Sequence, residues 1–170
     1  MDLVLWRHAK AEELSVLADS SGEPMRDLDR PLTDKGWRDA KKVSGRIEKR
    51  LDSSFVIFSS PALRTIQTAQ CLGRKIKVLD LLYQGSAKQI FSFLHWPELQ
   101  SSTVIVGHQP SIGRLASLIL TGEDFPLVVE PGAFFWFRWK TGYSGGQPAL
   151  VWAMTPGCLK KNSRKNEKND

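Results

Sequence analysis

The chain opens on an apolar run, residues 3–6 (Leu-Val-Leu-Trp), that passes without a break into Arg7 and His8. A buried strand ending in a cation and an imidazole forfeits their solvation unless both sit at the open carboxyl edge of a sheet. The design recurs further along. Residues 103–106 are apolar and lead into Gly107, His108, Gln109 and Pro110, after which a helical pattern begins. The chain has three histidines, and two of them end apolar strands. The third, His95, stands beside Trp96 and Pro97 at the expected end of a helix and reads as a surface or capping residue. A single histidine after a strand is most often structural; two in one context point to a shared site.

Between them lies a third element. Residues 55–58 form another apolar run, continued by Ser59, Ser60, Pro61, Ala62, Leu63, Arg64 and Thr65. Proline suits the first turn of a helix, where its missing N–H costs nothing and its φ is already right. The spacing predicts a helix from Pro61 with Arg64 in its first turn, near the strand's carboxyl end. If strands 3–6, 55–58 and 103–106 are parallel neighbours, Arg7, His8, Arg64, His108 and two helix N-termini meet in one crevice. Such a crevice suits an anion with several oxygens. Guanidinium offers a planar fork matching phosphate, and helix N-termini add N–H donors and a favourable dipole. No cluster of cysteine, histidine or carboxylate has metal-ligand spacing, so no metal or other cofactor is expected and side chains must meet the phosphate charge. Neither a G-x-x-x-x-G-K-[S/T] loop nor a G-x-G-x-x-G turn after a strand is present, which argues against nucleotide-driven chemistry.

The remaining pattern alternates strand and helix. Residues 33–51 read as a helix capped by Thr33, with Trp37, Ala40, Val43, Ile47 and Leu51 at helical spacing. Further helices are expected over 61–74, 86–95 and 110–121, and strands over 76–79, 133–139 and 149–153. This order predicts one α/β domain over residues 1–159, a three-layer α/β/α sandwich with a mainly parallel central sheet. With 170 residues and 41% hydrophobic content, the chain can bury a sizeable core.

No apolar stretch reaches membrane-spanning length and residues 1–20 carry charges throughout. Neither a membrane contact nor a signal peptide is expected, and the protein is expected in the cytoplasm with Cys71 and Cys158 as free thiols. Residues 10–29 make a long polar connection after His8, of a length that often serves function by covering a site or reading a partner, with a passive excursion as the alternative. Residues 160–170 are expected to be a disordered basic tail; they carry half of the net charge of +6. The positive charge is thus partly a property of the tail. Trp37, Trp136, Trp139 and Trp152 fall on core positions and no recognised binding module is present, so specific nucleic-acid binding is not expected. A monomer is the default state.

Four ordered segments carry a resemblance. They are Arg7-His8-Ala9-Lys10-Ala11, then Arg30-Pro31-Leu32-Thr33 with Gly36, then Ser60-Pro61-Ala62-Leu63-Arg64-Thr65-Ile66-Gln67-Thr68-Ala69, and Val106-Gly107-His108-Gln109-Pro110-Ser111-Ile112-Gly113. Together they resemble the histidine phosphatase superfamily, also called phosphoglycerate mutase-like, and within it the SixA-type phosphohistidine phosphatases. Met154-Thr155-Pro156-Gly157-Cys158-Leu159 is similar to the closing segment of that group. The resemblance implies a phosphoglycerate mutase-like fold and a metal-independent phosphatase. In it His8 would be the nucleophile and carry a covalent phosphohistidine, Arg7 and Arg64 would bind phosphoryl oxygens, and His108 would donate a hydrogen bond to the same group. The substrate implied is a histidine-phosphorylated protein, in a phosphorelay or a sugar phosphotransferase carrier. Cations around His8 would keep its imidazole neutral, while its other nitrogen needs a carbonyl or carboxylate partner that the sequence does not identify.

The chain also departs from the wider pattern. Position 9 is alanine where most of the superfamily has glycine, and residues 10–13 lack the mutase-type asparagine. Where mutases and many ester phosphatases place a glutamate as general acid, residues 79–86 offer Tyr83 and Gln84, with Asp80 close but out of step. An alkoxide leaving group needs such a proton. Imidazole, with a pKa of about 6.5, leaves without a dedicated acid once its other nitrogen is protonated. The chain is expected to suit P–N better than alkyl P–O cleavage. The alternatives are a broad phosphomonoesterase drawing its proton from Glu12, Glu13, Asp27 or Asp29, and a phosphohistidine-binding module without turnover.

Overall fold

A computed structural model of the chain describes residues 1–14, 25–142 and 145–159. The expected tail, residues 160–170, and the middle of the long connection, residues 15–24, lie outside the described residues. Six strands form one sheet: β1 Asp2–Arg7, β2 Val56–Ser59, β3 Ile76–Val78, β4 Thr103–Gly107, β5 Phe134–Lys140 and β6 Gln147–Met154, in the order β3-β2-β4-β1-β5-β6. The pairs β1–β4, β2–β4 and β2–β3 are parallel, and β5 runs antiparallel to both β1 and β6. The sheet is thus mainly parallel, as the alternating pattern predicts.

The two central strands, β1 and β4, are buried on both faces. That is why they read as unbroken apolar runs and not as alternating ones. Val4, Trp6, Val104 and Val106 point to one layer, built by helices α1 (Asp34–Glu48) and α2 (Leu63–Gln70). Leu3, Leu5 and Ile105 point to the other, which holds the short α3 (Leu81–Gln84), α4 (Ala87–Leu94) and α5 (Ser111–Thr121). Successive strand residues face opposite sides of a sheet, so each central strand feeds both cores. The result is the α/β/α sandwich.

Thr33 caps α1 as expected, its Oγ1 accepting from the Gly36 N–H at 2.9 Å. The helix then ends at Glu48, short of the expected Leu51, which packs into the core from beyond it. α2 differs more. It starts at Leu63 and not at Pro61, because Ala62 is still extended at φ −65°, ψ 137°. The Thr65 hydroxyl lies 2.9 Å from the Ser60 carbonyl and 2.7 Å from that of Ala62, which ties the helix back onto a strand-to-helix turn. Pro61 shapes that turn, and Arg64 still falls in the first helical turn. At its other end α2 stops at Gln70, short of the expected residue 74, and Gly73 follows at φ +60°. His95 is the exposed residue that ends α4 in the left-handed region, at φ 45°, in keeping with its expected capping role. Among the described residues, no helix is long and apolar enough to cross a membrane.

Candidate active site

β1 and β4 end side by side, with Arg7 paired to Gly107. The backbone continues the ladder one step past each strand: His8 N–H donates to the Gly107 carbonyl at 3.0 Å, and Ser60 N–H donates to that of Val106 at 3.2 Å. The residues that follow three parallel strands therefore share one edge of the sheet. The ring centroids of His8 and His108 lie 5.3 Å apart. Arg64 Nη2 lies 3.3 Å from His108 Nδ1. Burial and the charges of Arg64, Arg7 and Arg30 all act on the His8 ring. All four residues singled out in the sequence, Arg7, His8, Arg64 and His108, meet here.

The backbone around His8 is tied down from three directions. Ala9 N–H donates to Thr68 Oγ1 at 3.1 Å, and Gly132 N–H donates to the His8 carbonyl at 2.9 Å. Gly132 sits at φ +79°, where a side chain would be strained and would also meet Pro156. Further on, Thr33 N–H donates to the Lys10 carbonyl at 3.0 Å, and Glu12 N–H to that of Pro31 at 2.9 Å. Gly36 lets the first turn of α1 approach the same Lys10 carbonyl; a Cβ there would lie 2.1 Å from that oxygen. The Arg-Pro-Leu-Thr segment with its glycine is thus a clamp on the chain that leaves His8.

His8 is buried, and its Nδ1 lies 2.7 Å from the Ala9 carbonyl. A carbonyl only accepts, so Nδ1 carries the proton and Nε2 the lone pair. The partner sought in the sequence is the backbone of the next residue. Burial, reinforced by the charges of Arg64, Arg7 and Arg30, lowers the His8 pKa to about 4 against the opposing Ala9 hydrogen bond. Burial together with Arg64 and His8 lowers that of His108 to about 3. Both rings are neutral at pH 7. Arg64 must donate to His108 Nδ1, so His108 Nε2 carries the proton and donates to Ser60 Oγ at 2.7 Å. Both nitrogens of His108 are therefore engaged.

The guanidinium groups are only partly satisfied. Arg7 Nη1 donates to the Val129 carbonyl, while Arg64 Nη1 and Nη2 donate to the Asp27 carbonyl at 2.6 Å and to Asp27 Oδ2 at 2.8 Å. The Nε atoms of Arg7, Arg64 and Arg30 are buried without a hydrogen-bond partner among the described residues. A buried donor left unpaired costs about 1–3 kcal/mol, so those of Arg7 and Arg64 beside two imidazoles suit an oxyanion, while Arg30 Nε has the Asp27 carboxylate close by.

Sequence reasoning weighed Asp27 only as one of several proton sources. The structure sets it in the site, in a short 3₁₀ turn Asp27–Asp29. Its Oδ2 accepts from Arg64 and, at 3.1 Å, from the Tyr83 hydroxyl, while Arg30 Nε lies 3.2 Å from Oδ1 without hydrogen-bond alignment. Burial pushes its pKa up, but the Arg64 and Tyr83 hydrogen bonds and the Arg30 charge outweigh it and hold the carboxyl below its ordinary value. The Tyr83 ring packs edge-on against His108 at 5.4 Å. Asp80 stays exposed at the start of α3, and Asp29 pairs with Arg26 at 2.6 Å. Ser60 and Thr68 were also missed as partners of site groups; their side chains look like ordinary helix-approach polar residues until the strands are placed. A cavity of about 410 Å³ lined by Arg50, Trp136, Arg138, Val151 and Trp152 lies away from these groups. There Arg138 is held by Asp2 through two 2.7 Å hydrogen bonds.

Comparison with known proteins bears on the family and the fold. The family model of the histidine phosphatase superfamily (branch 1) matches residues 3–84, which hold Arg7, His8 and Arg64. A protein of Picosynechococcus sp. is 33% identical over 131 residues, covering 72% of this chain and 75% of that protein. Among solved structures, a SixA-type protein of Nakamurella multipartitia is 27% identical with a TM-score of 0.68, over 91% of this chain and 95% of that one. The SixA protein of Agrobacterium tumefaciens is 25% identical with a TM-score of 0.69, over 91% and 97%. The protein histidine phosphatase SixA in complex with tungstate shares the fold at a TM-score of 0.75 and 23% identity, over 94% and 100%. The fold is phosphoglycerate mutase-like, and the chain belongs to the histidine phosphatase superfamily, branch 1, in its SixA type.

Proposed function

We propose that this protein is a phosphohistidine phosphatase that hydrolyses the P–N bond of protein phosphohistidine through a phosphohistidine formed on His8. The observation that carries the reading is the His8 ring, neutral with Nδ1–H fixed on the Ala9 carbonyl and set among buried guanidinium groups that retain unpaired donors. The related SixA structure is complexed with tungstate, a tetrahedral oxyanion like phosphate, which is in keeping with an oxyanion ligand. Residues 1–159 would act as a single domain, with side chains and no metal meeting the phosphoryl charge.

In the first step the Nε2 lone pair of His8 attacks phosphorus and the substrate's P–N bond breaks, its electron pair passing to the departing ring nitrogen. Arg7 and Arg64 hold the phosphoryl oxygens as charge spreads over them. For His108 to donate to the same group, its proton moves to Nδ1 and the Ser60 hydroxyl turns to donate to Nε2; Arg64 Nη2 then passes from Nδ1 to a phosphoryl oxygen. In the second step water attacks phosphorus, the bond to His8 Nε2 breaks with its pair returning to the ring, and phosphate leaves. His8 keeps its Nδ1 proton on Ala9 throughout, so the intermediate is already the protonated form that leaves readily.

The choice of P–N over alkyl P–O bonds is supported by Asp27. This carboxylate, in contact with Arg64, is held ionised by Arg64 and Tyr83, which makes it a poor proton donor for an alkoxide. The test is metal-free dephosphorylation of a histidine-phosphorylated carrier protein against a panel of alkyl phosphates, with wild type and His8→Ala. Turnover of the phosphohistidine protein alone, abolished in His8→Ala, is the expected result. Equal turnover of alkyl esters overturns it in favour of a broad phosphomonoesterase, and turnover of neither favours a binding module.

A further inference from the structure

The proposed transfer runs between two imidazoles, and the structure treats only one of them as finished. His8 keeps its distal N–H on a fixed acceptor, the Ala9 carbonyl. A substrate ring phosphorylated on one nitrogen also needs its other nitrogen protonated before it can leave as neutral imidazole, and that N–H needs an acceptor at the mouth of the crevice. Asp27 lies there. One of its oxygens, Oδ2, is consumed by Arg64 at 2.8 Å and Tyr83 at 3.1 Å. Its other oxygen, Oδ1, lies 3.2 Å from Arg30 Nε in an ion pair but takes no aligned hydrogen bond among the described residues, and the side chain is 37% exposed, so it keeps room for a further donor. Arg64 links the carboxylate to His108, whose ring is 5.3 Å from that of His8.

Resting on the proposed phosphohistidine substrate, we propose that Asp27 is the specificity residue of this site: its Oδ1, ion-paired with Arg30 but without an aligned hydrogen bond, accepts the distal N–H of the substrate imidazole and so selects a cationic leaving ring over an alkoxide. The substrate ring enters as an N-phosphorylated imidazolium. When its P–N bond breaks the pair returns to the ring, the distal proton stays in place, and neutral imidazole departs with no proton taken from the enzyme. An anionic acceptor stabilises the protonated ring and raises the pH at which it titrates. The groups that face Asp27 all keep it anionic: Arg64 from α2, the Tyr83 hydroxyl from α3 and Arg30 from the end of its own turn, with neutral His108 beyond Arg64. An alkyl phosphate has no N–H to offer, and its leaving oxygen would meet the carboxylate as one anion meets another.

Rates on a chemically phosphorylated histidine peptide and on an aryl phosphate, measured from pH 5 to 9 for wild type, Asp27→Asn and Asp27→Glu, test this. Asp27→Asn should lower kcat/KM for the phosphohistidine peptide at least about tenfold more than for the aryl phosphate. It should also move the alkaline limb of the peptide profile down by about one pH unit, and Asp27→Glu should restore that limb. An equal loss on both substrates with unmoved limbs would overturn the proposal and leave Asp27 as a positioning residue for Arg64. Thermal unfolding of both variants separates these results from loss of fold, and Asp27→Glu, which keeps the charge, stands if Asp27→Asn does not. Wild type that turns over the aryl phosphate but not the phosphohistidine peptide would instead sink the proposed function, and this inference with it.

Discussion

His8 Nδ1 lies 2.7 Å from the carbonyl oxygen of Ala9, so the nucleophile candidate is oriented by the backbone of its own neighbour and not by a carboxylate. A neutral acceptor fixes the tautomer and raises the basicity of the ring less than an anion would. The lone pair on Nε2 is therefore available over a wide pH range. Removing the ring should remove the chemistry: His8→Ala is expected to lower turnover by on the order of 10⁴-fold while leaving the protein folded, checked by steady-state rates beside circular dichroism.

The depressed His8 pKa sets the acid limb of activity. With a value of about 4, set by burial and the surrounding arginines, His8 stays unprotonated well below the ordinary histidine range. The acid limb of kcat/KM on an aryl phosphate, corrected for titration of the substrate's own phosphate, should inflect near pH 4. An inflection near 6.5 would mean that the ring is solvated in solution.

The same shift has a consequence for stability. The folded protein keeps His8 and His108 neutral down to about pH 4 and 3, whereas the unfolded chain protonates both near 6.5. The unfolded state binds more protons in that window, so stability rises with pH through it and falls as the pH drops from 6.5 toward 4. The loss is expected to be a few kcal/mol by pH 4, and replacing His8 or His108 with an apolar residue should flatten it. Urea denaturation at pH 7, 5.5 and 4.5 measures the slope.

Gly36 has no room for a side chain, because its Cβ would fall 2.1 Å from the Lys10 carbonyl. Gly36→Ala must push α1 away from the segment that leaves His8. A cost of about 1–3 kcal/mol is expected, with a fall in kcat because the Ala9 carbonyl moves with that segment. Thermal unfolding and steady-state rates read the two effects.

Ser60 ties His108 to the turn that opens α2, with 2.7 Å between Oγ and Nε2. Ser60→Ala leaves a buried imidazole nitrogen without a partner and should cost about 1–3 kcal/mol in stability. It also removes the hydroxyl that would turn to release His108 Nδ1–H toward a phosphoryl oxygen. Turnover should fall about ten- to a hundredfold, with a smaller change in KM, since that bond forms as charge develops.

The alternation of apolar runs with helical periodicity foretold the fold because central parallel strands must be apolar on both sides, as β1 and β4 are. Arg7, His8, Arg64 and His108 were legible for a related reason: each follows directly on a buried strand or sits in the helix turn after one. Pro61 misled as to where α2 begins, since proline also suits the extended turn it occupies here, and the Thr65 hydroxyl that holds this turn gives no local sign of doing so.

By itself, then, the sequence determined which strands are buried and which polar groups stand at their ends, since both follow from local pattern and the cost of burying charge. Only the tertiary structure decided what those groups touch. That Ala9 supplies the acceptor for His8, that Ser60 holds His108, and that Asp27, Arg30 and Tyr83 complete the wall depends on the distances between segments far apart in the chain. Hydrogen bonds and pKa shifts act over a few ångströms, and such distances are set when the layers pack.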